Sequence, residues 1–119
     1  MPFIEISRPA CFTHQLEKLI KKYKKSEKSI IKQIDSILNN PFQGNRIPGF
    51  GNAHMRKVRI PLKEYGIGRS GGIRIIYIVV EDNNKMLMVA IYTERDYKTE
   101  NSVQSMIRQN LKSIDSSLL

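Results

Sequence analysis

The apolar positions change period along the chain, and each change marks an element. Phe3-Ile4-Glu5-Ile6 is short and partly alternating, and Pro9 closes it, so a first strand is expected there. Phe12, Leu16, Leu19, Ile20 and Tyr23 then recur at helical spacing and form one apolar stripe. Lys18, Lys21, Lys22, Lys24 and Lys25 occupy the rest of that surface. Ser26 is placed to cap a second helix, whose buried face is expected to hold Ile30, Ile31, Ile34, Ile37 and Leu38. Asn39-Asn40-Pro41 stops it, because proline cannot continue the helix and pushes its predecessor out of the α region. Two amphipathic helices with so short a joint make a helical hairpin.

From Pro41 to Asn52 the chain is rich in Gly, Pro and Asn and reads as a loop. The period then switches to two. Arg56, Val58 and Ile60 fall on one side of a strand, with Met55, Lys57 and Arg59 on the other. Pro61 to Gly72 is a long connection with four glycines, and Ile73 to Glu81 is apolar on both faces around Arg74, as a central strand should be. Asp82-Asn83-Asn84-Lys85 is a hairpin loop, and Met86 to Tyr92 returns as a third strand. Val103, Met106, Ile107, Leu111 and Ile114 suggest a final helix. The expected class is α+β: an N-terminal strand and a two-helix hairpin packed on one face of a largely antiparallel sheet, in the order β-α-α-β-β-β with a C-terminal helix.

Composition narrows the function classes. The 119 residues suffice for one domain with one core, and the aliphatic content excludes global disorder. No apolar run approaches the ~20 residues of a membrane span, and no signal peptide is visible, so a cytoplasmic protein with no membrane partner is expected. The one cysteine, Cys11, excludes an internal disulfide framework and a multi-cysteine zinc site, and reads as a small residue at a helix start. Charge is one-sided: residues 1–80 hold 15 Lys/Arg against 5 Asp/Glu, whereas residues 81–119 hold 5 against 6. Such a field steers a protein toward nucleic acid or an acidic partner.

Familiar catalytic signatures are missing: no Walker loop, no Gly-x-Ser-x-Gly elbow and no His-Glu-x-x-His. His14 and His54 lie in different elements without carboxylates at ligand spacing, so no metal or cofactor is expected. His54 directly precedes the basic strand and is the better candidate for chemistry. What stands out is a cluster of cations, Arg56, Lys57, Arg59, Lys63, Arg69 and Arg74, against Glu64 alone. Alternation puts Lys57 and Arg59 on the same sheet face. A cation at Arg74, in a strand of Ile, Tyr and Val, needs a partner or an open surface. It either pairs with a carboxylate such as Glu81 or Glu94, or contributes to a concave cationic face that grips phosphates.

Four stretches, taken in order, resemble the RelE/ParE superfamily of bacterial toxins, nearest to its HigB-like and RelE-like members. They are Asn40-Pro41-Phe42-Gln43-Gly44-Asn45-Arg46-Ile47-Pro48-Gly49 ahead of the sheet, the basic strand Met55-Arg56-Lys57-Val58-Arg59-Ile60, the Gly-x-x-Arg-x-x-Tyr strand Gly71-Gly72-Ile73-Arg74-Ile75-Ile76-Tyr77, and Val89-Ala90-Ile91-Tyr92-Thr93-Glu94-Arg95-Asp96. The resemblance spans about residues 3–98. It implies a toxin domain over 1–98, with 99–119 as a C-terminal helical extension of the same domain.

The resemblance implies a ribosome-dependent, metal-independent mRNA endoribonuclease that inhibits translation. Its partners would be a cognate antitoxin, the ribosome and mRNA, with operator DNA reached only through the antitoxin. RNA carries its own nucleophile in the 2′-hydroxyl, so such an enzyme needs only to position the strand, move protons and stabilise the phosphorane's charge. By the resemblance, Lys57, Arg59, Arg74 and Arg95 are catalytic candidates, and Arg56, Lys63, Arg69, His54 and Tyr97 are substrate-binding candidates. The arginines, Arg69 among them, would hold the phosphate; Lys57, His54 or Tyr97 would handle protons, with Tyr97 or Tyr92 as a stacking aromatic. Many members carry a lysine two residues after the strand-end tyrosine, whereas here Tyr92 is followed by Thr93 and Glu94, with Arg95 one position further. Within the superfamily the alternatives are a ParE-type inhibitor of DNA gyrase and a degenerate toxin that only binds its antitoxin.

Overall fold

The computed structural model describes residues 4–51, 53–81 and 84–114, with side chains described from residue 8 onward. The elements run β1 (Ile4–Ser7), α1 (Ala10–Lys22), α2 (Glu27–Asn39), β2 (Asn45–Arg46), β3 (Met55–Ile60), β4 (Ile73–Val80), β5 (Lys85–Thr93) and α3 (Glu100–Lys112). They build the expected α+β arrangement around a five-stranded sheet ordered β1-β5-β4-β3-β2. The β2–β5 pairs are antiparallel and β1 joins β5 in parallel. Phe3, Asp82 and Asn83, placed by the sequence in the first strand and the hairpin loop, lie outside the described residues.

Each sheet face has its own core. Phe12, Leu16 and Leu19 of α1 and Ile30, Ile34 and Ile37 of α2 close over Val58, Ile60, Ile73, Ile75, Tyr77, Met86, Met88 and Ile91. On the opposite face Met106 and Ile107 of α3, with Ile114 just beyond it, cover Met55, Ile76, Ile78, Leu87, Val89, Ala90 and Tyr92. The helices are therefore not gathered on one face: α3 forms a third layer. Apart from Arg74 in β4 and the end residues Lys85 and Thr93 of β5, these two strands are apolar or aromatic, because both their faces are covered.

A β-bulge decides which side chains reach the α3 face. Ile76 pairs with Ala90 and Tyr77 with Met88, leaving Val89 as the extra residue in β5. Val89 and Ala90 consequently both join the α3 core, Ile91 turns under α1, and Tyr92 emerges on the α3 face. Without the bulge the strand's alternation would point Tyr92 at α1. The bulge carbonyl is not orphaned, because Asn110 of α3 donates its Nδ2 to Val89 O at 2.9 Å. Gln15 Oε1 accepts from the same Nδ2 and from the Ile91 amide.

Local expectations need four corrections. Ser26 occupies the N-cap position of α2 but makes no side-chain cap. It is fully buried, and its hydroxyl donates instead to Glu64 Oε1 at 2.6 Å, tying the 61–72 connection to the hairpin. Ile31 is 45% exposed, since α2 presents only the Ile30–Ile34–Ile37 stripe to the sheet. The 41–52 loop contains β2, paired to Lys57 and Arg56. α3 carries a capping box that its apolar pattern does not reveal: Thr99 Oγ1 accepts from the Ser102 amide, and the Ser102 hydroxyl accepts from the Thr99 amide.

Candidate active site

Strand parity and register bring cations together on the α3 face. Lys57 pairs with Ile76, Arg59 sits opposite Arg74, and Arg74 sits opposite Tyr92. These side chains floor a cleft of about 150 Å³ whose wall is Glu94, Tyr97, Lys98, Thr99 and Glu100, with Val103, Gln104 and Ile107 of α3. The chain reaches that wall because β5 ends at Thr93, where the Thr93 hydroxyl donates to Asp96 and closes a turn into the start of α3.

Arg74 is the anchored cation. Only 7% exposed, it donates Nη1 to the Gly72 carbonyl, and Nη2 to the Ser70 carbonyl at 2.8 Å and to Glu94 Oε2 at 3.1 Å. The ion pair with Glu94 anticipated for a cation in this strand is present. Gly72 lets the turn approach so closely: a Cβ there would lie 2.0 Å from the Ile60 carbonyl oxygen. Arg59, by contrast, projects into solvent. Burial, followed by the neighbouring Arg59 charge, holds Lys57 below the ordinary lysine value. Burial pushes the Tyr92 hydroxyl up to about 12, and the ring packs edge-on against Tyr97 at 5.5 Å.

The remaining anticipated residues divide by position. Tyr97 lines the cleft. Arg95 lies in an adjoining recess with Ile67 and Gly71, which shares Glu94 and Lys98 with the cleft. Arg69 is exposed in the short turn Arg69–Gly71, beside the carbonyls that hold Arg74. Neither Arg95 nor Arg69 lines the cleft itself, and three further residues lie away from it. Arg56 points to the helix side and donates to the carbonyls of Phe42, Gln43 and Gly44. His54 shares that side, with Nδ1 2.8 Å from Glu81 Oε1 and Nε2 3.2 Å from Arg56 Nη1. Lys63 lies in the turn Lys63–Tyr65, whose neighbours Glu64 and Tyr65 touch the joint between α1 and α2.

Lys98, Glu100 and Gln104 line the cleft without having been anticipated. Their only sequence signal is their position around the start of a helix whose sheet face had not been assigned. Chemically, the cleft offers several cationic donors to one phosphate-sized space, with Glu94 and Glu100 as competing anions. Among the described residues no group of three His, Cys, Asp or Glu side chains could hold a metal ion, and no helix is long and apolar enough to cross a membrane.

No protein-family model and no curated protein matches the sequence. Among solved structures, the chain is similar to a free E. coli RelE toxin carrying two arginine-to-alanine substitutions, with TM-score 0.50 and 14% identity over 92% of this chain and 98% of that one. The isolated E. coli RelE toxin aligns with TM-score 0.47 and 15% identity, over 92% of this chain and 99% of that chain. The first likeness, together with the element order, shows that this chain has the RelE-like fold.

Proposed function

We propose that this chain is the toxin of a type II toxin–antitoxin pair, a RelE-like, ribosome-dependent endoribonuclease that cuts mRNA. The observation that carries the reading is the convergence of Lys57, Arg59 and Arg74 in one cleft of a RelE-like sheet. In the reaction the ribose 2′-oxygen attacks the adjacent phosphorus and loses its proton, and the bond from phosphorus to the 5′-oxygen breaks. The products are a 2′,3′-cyclic phosphate and a 5′-hydroxyl, which takes up a proton. Arg59 and Arg74 bind the phosphate and its developing charge, and Arg95 supports them from the adjoining recess. Lys57, with its lowered pKa, and Tyr97 are the proton-handling groups; His54 is too poorly placed for that role. No metal enters this chemistry.

A cationic cleft left uncovered would bind RNA indiscriminately, so an acidic antitoxin segment is the natural inhibitor. The Arg74–Glu94 ion pair supports a second reading, a toxin that has lost cleavage and keeps only antitoxin binding. The test is a reconstituted translation reaction on a defined message, with and without ribosomes, reading RNA ends by primer extension. Cleavage in A-site codons only with ribosomes, lost in Arg59→Ala and Lys57→Ala, is the expected result. Intact message with normal protein synthesis would refute the nuclease and direct the next assay to gyrase supercoiling.

A further inference from the structure

A second groove adjoins the cleft. It lies between α1 and the end of β5, encloses about 660 Å³, and is lined by Lys18, Lys21 and Lys22 over a floor of Leu19 and Ile91. Tyr92 and Tyr97 line both this groove and the cleft, so the tyrosine pair is the partition between them. We propose that the groove is a second RNA subsite. A single strand whose scissile phosphate occupies the cleft passes over Tyr97 and lays its flanking phosphates along the α1 lysines. The proposal rests on the cleft being an RNA site.

Three features of the groove favour a single-stranded polyanion. Lys18, Lys21 and Lys22 are spaced i, i+3 and i+4, so helical geometry sets them on one face, with about 6 Å of axial rise from first to last. All three are exposed, and none forms an ion pair with a described residue. Asp96, the acidic residue of the groove, is committed to its turn by accepting the Thr93 hydroxyl at 2.9 Å. Lys24, Lys25, Lys28 and Lys32 do not line the groove, which separates its three lysines from the solvated remainder of the hairpin. Tyr97 supplies what sequence-tolerant single-strand sites use beside cations, an aromatic face at the point where the strand crosses.

The test is fluorescence anisotropy on the full chain with a labelled trinucleotide and a labelled twelve-nucleotide single strand, both 2′-deoxy so that neither is cut. Neutralising the groove with K18Q/K21Q/K22Q should weaken the long strand about tenfold or more. It should also lower its salt slope by about 2, the value for three released contacts on a single strand, while the trinucleotide binds unchanged. Arg59→Ala should weaken both oligonucleotides by the same factor, and Tyr97→Leu should weaken the long strand about tenfold. If the triple variant holds the long strand as tightly as the parent, the lysines are a solvated face and the proposal falls. Loss of long-strand binding in the triple variant, with no effect of Arg59→Ala on either oligonucleotide, would keep the groove as an RNA site while refuting the cleft reading. Lysine-dependent binding of a poly-glutamate peptide, with no RNA binding, would assign the groove to an acidic protein and overturn the proposal.

Discussion

The sheet face beneath α1 and α2 and the face beneath α3 draw on the same central strands, yet they are finished differently. On the hairpin side, two helices bring Phe12, Ile30, Ile34 and Ile37, each fully buried, onto the strands. Polar groups there are tied inward: Tyr77 donates to the carbonyls of Pro41 and Gln43, and Ser26 donates to Glu64. On the other side a single helix covers the half of the sheet near Met55, Ile78 and Leu87 and leaves the Lys57–Arg59–Arg74 end open. One face spends its apolar surface on stability. The other leaves Lys57 and Arg59 less covered beside the nearly buried Arg74, and keeps a cleft.

The difference predicts unequal responses to mutation. Phe12→Ala removes a fully buried ring from the hairpin core and should cost about 3–5 kcal/mol in a denaturant titration. Arg59→Ala, at an exposed position of the open face, should change stability by no more than about 0.5 kcal/mol while abolishing cleavage and weakening RNA binding. Equal losses of stability in the two variants would mean that the open face is structural as well.

Alkaline titration compares the faces through one tyrosine on each. Burial raises both Tyr77 and Tyr92 to about 12, whereas unfolded tyrosines ionise near 10. The folded chain therefore keeps protons that the unfolded chain gives up. The associated stability is complete below pH 10 and drains away as pH rises from 10 toward 12, on the order of 2–3 kcal/mol for each residue. Tyr77→Phe and Tyr92→Phe should each flatten that decline in a plot of melting temperature against pH. At neutral pH, Tyr77→Phe alone should cost about 1 kcal/mol, because it removes the hydroxyl that the Pro41 carbonyl accepts from, while the Gln43 carbonyl keeps its bond from Arg56.

Much of this layout was legible in the sequence because it rests on period. Helical spacing found α1, α2 and α3, and alternation separated Lys57 and Arg59 from Val58 and Ile60. The same parity assigns His54 and Arg56 to the helix side, so their absence from the cleft was also encoded locally. The rest depended on long-range pairing. Every residue from Met86 to Tyr92 is apolar or aromatic, so no alternation could disclose the bulge at Val89 that turns Tyr92 into the cleft. Ser26 finds Glu64 across 38 positions of sequence, a separation at which local capping rules have no reach. The sheet face taken by α3, and with it the lining roles of Lys98, Glu100 and Gln104, follows from that bulge and from Asn110.

Asn110 offers a more local test of the open face. Its side chain bonds the bulge carbonyl and Gln15 from within α3, at 9% exposure. Asn110→Ala should cost about 1–3 kcal/mol by leaving Val89 O with only the weak Cys11 thiol as a side-chain donor. It should also loosen the wall of the cleft, which amide exchange in the Thr99–Val103 segment would register as faster exchange. A stability loss without faster exchange there would separate the bulge bond from the wall.

A small change in stability is also expected at Glu94, where function should respond directly. Glu94 is half exposed, and its carboxylate occupies one Nη2 position of Arg74, the same donor that a phosphate in the cleft would seek. Replacing it by Gln removes the competing charge but keeps the size of the side chain, while the Gly72 and Ser70 carbonyls still hold the guanidinium. Stability should move by less than about 1 kcal/mol, since a pair with one half-exposed partner contributes little net energy. Affinity for the deoxy-trinucleotide should rise several-fold, because the phosphate no longer has to displace a carboxylate from a nearly buried cation. An unchanged affinity would place the bound phosphate on Arg59 and Lys57 and leave Arg74 as the brace of the Ser70–Gly72 turn. A reduced affinity would mean that Glu94 aims Arg74 at the phosphate and does not compete for it.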